Sequence, residues 1–208
     1  FKKEHSIFNL KFNIPIQNIS GSHSYKIKAI GLHNVLNGTA SIIAGLSAGV
    51  KNTYIKKALS NYIGVKRRFS NLGNVNSSII FDDYAHHPTE IAATLSGAKQ
   101  INKNIIVVFQ PHRYSRTKIL FNEFIFVLSK IKKLYLLDTY SAGEKKIKGC
   151  ESIDLFLNLI KINKNIVYVG KKSLNKLIYR ETSQKNIIIF MGAGSISKKA
   201  INFMKINE

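Results

Sequence analysis

A chain of 208 residues has room for one large or two small domains, each able to bury a core, and 45% hydrophobic with 21% charged residues is a globular balance. No apolar run reaches the length of a membrane span, the start Phe1-Lys2-Lys3-Glu4-His5 lacks signal-peptide character, and the single Cys150 excludes an internal disulfide and fits a reducing cytoplasm. The net charge of +21 comes from lysines spread along the chain, which favours a solvated surface over a nucleic-acid groove or a membrane face. The arginines are more informative. Four of the five, Arg67, Arg68, Arg113 and Arg116, fall in two short stretches, and in a Lys-rich chain a planar fork points to carboxylate or phosphate oxygens.

Residues 1–30 carry two β-like runs, Ser6-Ile7-Phe8-Asn9-Leu10-Lys11-Phe12 and Tyr25-Lys26-Ile27-Lys28, around a polar Gly/Ser turn. They read as the last hairpin of a domain, and the lack of an initiating Met fits a chain that begins inside a longer protein. His5 and His23 read as solvated loop residues. Gly31-Leu32-His33-Asn34-Val35-Leu36-Asn37 then leads into a small, apolar segment that predicts a buried helix from near Asn34 to Gly49. Asn34 and Asn37 lie about one turn apart on its face. Two readings stand for them: amides that read an adenine edge, or a cap plus a packing residue. A second helix over 53–62 puts Ile55, Ala58, Leu59 and Tyr62 on one stripe, and Gly64 breaks it at a domain boundary. Val65-Lys66-Arg67-Arg68-Phe69 is strand-like, and alternation would send Arg67 and Arg68 to opposite faces.

Ser78-Ile79-Ile80-Phe81 reads as a buried strand that runs into Asp82-Asp83-Tyr84-Ala85-His86-His87-Pro88-Thr89-Glu90, with a helix over 91–101 behind it. Ligands of open α/β sheets bind at such strand ends. Helix capping accounts for Thr89 and Glu90, but not for a phenol and two imidazoles in a chain with six histidines. A second strand, Ile105-Ile106-Val107-Val108-Phe109, ends in Gln110-Pro111-His112-Arg113-Tyr114-Ser115-Arg116 before a helix over 117–131. Arg113 and Arg116, three apart, are placed to face one side near a helix N-terminus. Further strands over 134–138, 166–169 and 187–190 alternate with helices over 152–161 and 174–182, and a closing helix follows Met191-Gly192-Ala193-Gly194-Ser195. That glycine turn either cradles an anion or packs tightly, and it lacks the third glycine of the dinucleotide fingerprint. The alternation predicts a mostly parallel sheet with right-handed crossovers, and the clusters at 82–90 and 110–116 are expected to follow adjacent strands. There is no phosphate loop, zinc spacing or serine-elbow motif in these residues.

Read together, Gly-Leu-His-Asn-Val-Leu-Asn at 31–37, Gly-Val-Lys-Arg-Arg-Phe at 64–69, Asp-Asp-Tyr-Ala-His-His-Pro-Thr-Glu at 82–90, Phe-Gln-Pro-His-Arg-Tyr-Ser-Arg at 109–116, Asp-Thr-Tyr-Ser-Ala-Gly-Glu at 138–144 and Gly-Ala-Gly-Ser-Ile at 192–196 resemble the Mur ligases in order and spacing. The resemblance covers nearly the whole chain. It implies an α/β fold, with a Rossmann-like, mostly parallel sheet and flanking helices over 63–208 as the family's C-terminal domain. Residues 1–62 would be a short α+β remnant of its central ATPase domain. It also implies ATP-driven amide formation in peptidoglycan precursor synthesis. A carboxylate of UDP-N-acetylmuramate is phosphorylated by ATP with Mg2+, and the amine of L-alanine attacks the acyl phosphate. The alternatives are a related ligase that attaches a recycled tripeptide to the same muramate and, from another class, a basic nucleic-acid-binding Rossmann-like domain. The resemblance places His33, Asn34 and Asn37 at the adenine, Arg68 at the ATP phosphates and Asp83 at the ribose. Tyr84, His86, His112, Arg113 and Arg116 would face the acyl phosphate and the alanine, the last four carrying the chemistry. Neither a nucleic acid nor a membrane is an expected partner. The family's Gly-Thr-x-Gly-Lys-Thr phosphate loop and its magnesium ligands are expected N-terminal to Phe1, in cis or on a separate chain. The 208 residues alone are therefore expected not to turn over ATP.

Overall fold

A computed structural model of the chain describes residues 5–29, 31–62, 65–101 and 104–207; the side chain of His33 and the boundary residue Gly64 lie outside the described residues. The chain divides into two compact units, residues 1–65 and 66–208. No helix among the described residues is long and apolar enough to cross a membrane.

In the first unit β1 (Ser6–Ile16) and β2 (Ile19–Ile27) form the expected antiparallel hairpin. Its turn is Gln17-Asn18, both at positive φ (49° and 64°), and not the Gly/Ser segment, which lies inside β2. A two-residue hairpin link needs left-handed backbone at both central positions, which Asn tolerates well. His23, expected in a loop, sits in β2 with its ring edge-on to Phe12 at 5.9 Å. The helices α1 (Leu32–Ser47) and α2 (Asn52–Ser60) bury Ile42, Leu46, Ile55 and Leu59 against Tyr25 and Ile27. Ala58 is exposed and not part of that stripe. Because α1 starts at Leu32, Asn34 and Asn37 both lie in its first turns, Asn34 half-buried and Asn37 exposed.

The second unit contains β3 (Ser70–Val75), β4 (Ser78–Asp83), α3 (Pro88–Lys99), β5 (Ile105–Phe109), α4 (Tyr114–Ile119), α5 (Phe121–Leu128), β6 (Lys133–Leu136), α6 (Ser152–Ile162), β7 (Ile166–Tyr168), α7 (Leu174–Glu181), β8 (Ile187–Met191) and α8 (Ile196–Asn207). Six strands form one sheet in the order β3-β4-β8-β5-β6-β7, with β3 antiparallel to β4 and the other pairings parallel. This is the mostly parallel α/β sheet with flanking helices that the alternation predicts. All five residues of β5 and of β8 are buried, because helices cover both faces. Ile187, Ile189 and Met191 join the core under α3, α5 and α6, whereas Ile188 and Phe190 join the one under α7 and α8.

Two expectations are corrected here. The strands that lead to the two clusters, β4 and β5, are not adjacent, because the last strand of the chain inserts between them. The helix expected over 117–131 begins at Tyr114 and is interrupted at Leu120 (φ −109°, ψ 26°), whose side chain packs on the core between α4 and α5.

Candidate functional site

The two clusters still meet, and the glycine turn after β8 explains how. Gly192 N donates to Asp83 O at 3.0 Å and Gln110 N donates to Met191 O at 3.0 Å, so the backbone leaving β8 is held from both sides. A Cβ on Gly192 would lie 2.6 Å from Gln110 O, and one on Gly194 would lie 2.6 Å from Tyr140 Cγ. Only glycine is thin enough at either position. The turn packs closely at both glycines. Across it the rings of His86 and His112 stand 6.0 Å apart and line an open cleft of about 580 Å³ with Tyr84, Arg113, Arg116 and Ala193.

The strand-like reading of residues 65–69 is corrected. Arg67 and Phe69 have positive φ (61° and 49°), so the segment is a turn, and β3 starts only at Ser70. Both guanidinium groups therefore face the same ring: Arg67 Cζ is 4.6 Å and Arg68 Cζ 5.8 Å from the centroid of Tyr84. Asp83 sets this turn. Its carboxylate accepts from Phe69 N at 2.7 Å, from Ala85 N at 2.7 Å and from Thr94 Oγ1 at 3.3 Å, and it is only 3% exposed. Burial pushes its pKa up, against the pull of these bonds and of Arg68. The residue expected at a ribose is thus already occupied by protein donors. Arg68 is half-exposed, with Nη1 3.6 Å from Glu90 Oε1.

His87 is the N-cap of α3: its Nδ1 accepts from Thr89 N, and Glu90 closes the capping box. Glu90 accepts from His86 N at 3.0 Å and His87 N at 3.3 Å. Burial raises its pKa, but these N–H donors with the charges of His86 and Arg68 outweigh burial and hold it low. His86 is the imidazole that meets Tyr84 (5.2 Å) as well as His112. His86 Nδ1 lies 2.9 Å from Tyr84 O and 3.4 Å from Glu90 Oε2, both acceptors, so in the neutral ring the proton sits on Nδ1 and Nε2 is the acceptor. His112 is the reverse. Arg116 Nη1 donates to His112 Nδ1 at 3.3 Å, which leaves Nε2–H as the donor of the neutral ring. Burial, then Arg116, His86 and Arg113, lower the pKa of His112, with Glu144 opposing.

Several contributing residues carry no role in the sequence reading. Tyr140 stacks on His112 at 5.4 Å, and their backbones form an isolated parallel bridge. Glu144 accepts from Ser115 N at 3.0 Å and Ser115 Oγ at 2.6 Å, and stands 3.7 Å from Arg113 Nη1. The bonds from Ser115 are the main reason its carboxyl sits below the usual range. Thr139-Tyr140-Ser141-Ala142-Gly143-Glu144 follows β6 as the other clusters follow β4 and β5, and that position was the available signal. Arg113 and Arg116 both line the cleft, but Arg116 turns back to His112 while Arg113 faces Glu144. Among the described residues no three His, Cys, Asp or Glu side chains gather as a metal site. Asp83, Glu90 and Glu144 each accept hydrogen bonds from protein donors.

Residues 67–194 match the family described as Mur ligase, glutamate ligase domain. The UDP-N-acetylmuramate–L-alanine ligase of Lachnospira eligens is 42% identical over 177 residues, which are 84% of this chain and 39% of that protein. Its counterpart in Rickettsia felis is 38% identical over 208 residues, covering 94% of this chain and 42% of that protein. The crystal structure of the UDP-N-acetylmuramate–alanine ligase from Thermotoga maritima is similar with a TM-score of 0.71 at 26% identity, over 99% of this chain and 46% of that chain. The chain thus spans about two fifths of the length of the curated relatives it matches. A family match across most of the second unit, on a sheet whose strand ends gather the motifs of that family, establishes that the chain belongs to the Mur ligases.

Proposed function

We propose that the chain is part of an ATP-dependent ligase that joins L-alanine to UDP-N-acetylmuramate in peptidoglycan precursor synthesis, acting in the cytoplasm. Residues 1–62 would be the end of its central ATP-binding domain and 63–208 its C-terminal domain. The observation that carries the reading is the pair of imidazoles in opposite hydrogen-bonding states, 6.0 Å apart and flanked by Arg113 and Arg116. The muramate carboxylate attacks the γ-phosphorus of ATP and ADP leaves. The alanine amine then attacks the acyl carbon, loses a proton, and phosphate departs. In that sequence His86 Nε2 accepts the amine proton, and His112 Nε2–H with the two guanidinium groups supports the oxyanion and the leaving phosphate. Tyr84 walls the amino-acid end. Arg68, half-exposed, reaches the ATP phosphates. On the first unit, Asn34 and Asn37, with His33 beside them, hold the adenine. Asp83 acts first as the hub of the arginine turn, and a ribose hydroxyl would replace its bond to Thr94, the longest of the three. Mg2+ supplies charge neutralisation of the phosphates when bound, together with a phosphate loop in cis or in trans.

The test is alanine-dependent phosphate release from ATP and UDP-N-acetylmuramate, measured with the phosphate-loop portion joined to this chain. Release that needs all three substrates is expected, and absence of alanine dependence overturns the reading. The tripeptide-recycling and nucleic-acid readings are not favoured, since the 38–42% identical relatives are L-alanine ligases by name. A tripeptide preferred over L-alanine in the same assay would reverse that choice.

A further inference from the structure

We propose that Arg67 is a positioning residue for the amino-acid end of the cleft, acting through Tyr84 and the glycine turn after β8; the inference rests on the ligase reading above. Arg67 holds Tyr84 at two places. Its backbone O accepts from Tyr84 N at 2.6 Å, and its guanidinium lies 4.6 Å from the ring centroid. The same guanidinium donates through Nη2 to Gly192 O at 2.7 Å, so one side chain spans from the ring to the turn held between Asp83 and Gln110. A Lys cannot reproduce this, because a point ammonium cannot lie flat on a ring and also present a fixed fork to a carbonyl.

The setting argues for positioning and against direct contact with a phosphate. Arg67 is the more enclosed of the two arginines, 28% exposed at the side chain against 53% for Arg68. Its positive charge faces Asp82, whose Oδ2 is 3.7 Å from Arg67 Nε and accepts from Ser197 Oγ at 2.6 Å. Burial raises the pKa of Asp82, against the pull of Ser197 and Arg67. Arg67 Nε and Asp82 Oδ1 are buried without a hydrogen-bond partner among the described residues. Left-handed backbone at an arginine persists only where the surroundings determine it. Here Asp83 bonding the Phe69 N–H two residues on supplies that constraint. The sequence thus places two arginines side by side with different work: Arg68 open towards ligand, Arg67 turned inward to fix the wall.

The experiment uses the complete ligase, this chain with its phosphate-loop portion, and compares Arg67→Met and Arg67→Lys with the parent. In Arg67→Met the KM for L-alanine should rise about tenfold, from a lost charge-assisted hydrogen bond and a lost ring contact, while the KM for ATP stays within about threefold. Arg67→Lys should recover less than half of that rise. In a Tyr84→Ala background, Arg67→Met should add less than about a twofold further change in KM for L-alanine, since contacting residues are non-additive. Should Arg67→Met fail to fold, as judged by its thermal melt, Arg67→Lys carries the same comparison, with a rise in alanine KM of at least about threefold expected. An unchanged alanine KM, full rescue by Lys, or an equal rise for every substrate would overturn the proposal. A parent protein with no alanine-dependent turnover would instead overturn the ligase reading itself.

Discussion

Burial, the Arg116 guanidinium, His86 and Arg113 all push His112 below its ordinary titration range, against a smaller pull from Glu144. The folded chain therefore binds a proton at this ring less readily than the unfolded chain does. Its contribution to stability is fully present above the unfolded value of about 6.5 and is lost as pH falls through the lower folded value. An NMR titration of the His112 ring protons should give a midpoint below about 6.5. A midpoint at or above that value would contradict the assignment of the neutral ring as proton donor. Arg116→Ala removes the donor that fixes the His112 tautomer and one of the cleft's positive charges. It should raise that midpoint and lower kcat in the complete ligase by about a hundredfold, the low end of what a positioned acid–base group contributes. A kcat within about threefold of the parent would show that Arg116 is not needed for the chemistry. The neighbouring arginine turn shows the limit of reading residues in isolation. Alternation would have separated Arg67 from Arg68, but the hydrogen bond from Phe69 N to Asp83, 14 residues further on, bends the segment so that both meet Tyr84.

Elements hold these groups in place through a few short contacts. The start of α4 is held by Glu144, which accepts from the backbone and side chain of Ser115. Glu144→Ala should leave the sheet intact, speed amide exchange over Tyr114–Ile119 and lower kcat/KM through a loosened Arg113. Unchanged exchange there would remove the clamp from the account. Gly194→Ala forces a methyl to within 2.6 Å of Tyr140 Cγ and should cost about 1–3 kcal/mol, the range for overpacking, read by urea unfolding. In the sheet, Ile189 is fully buried in the central strand β8, and Ile189→Ala should cost about 2–5 kcal/mol by lost transfer and residual cavity. The strands were legible because five-residue apolar runs with helices on either side have few alternatives. The break at Leu120 was not legible, since it depends on which side chain the core takes up.

At the scale of the molecule, the two compact units carry different parts of the proposed work, Asn34 and Asn37 on one and the histidine–arginine cleft on the other. The 208 residues contain no phosphate-cradling Gly-Lys-Thr loop and, among those described, no metal cluster. Purified alone, they should release no alanine-dependent phosphate from ATP. Measurable release would mean that another group substitutes for the loop.

Local order along the chain was enough to determine the alternation of strands and helices, and with it the parallel α/β class, because apolar periodicity and burial on both faces are properties of neighbouring residues. It was also enough to place the histidine and arginine clusters of 82–90 and 110–116 at strand ends, since each cluster is contiguous with the strand before it. Only the tertiary structure decided that β8 lies between those strands, that Gly192 and Gly194 let the turn after β8 lie against Gln110 and Tyr140, that His86 and His112 stand 6.0 Å apart, and that Asp83 serves the protein first. These depend on partners that are not neighbours in the chain, whose distances no local pattern encodes.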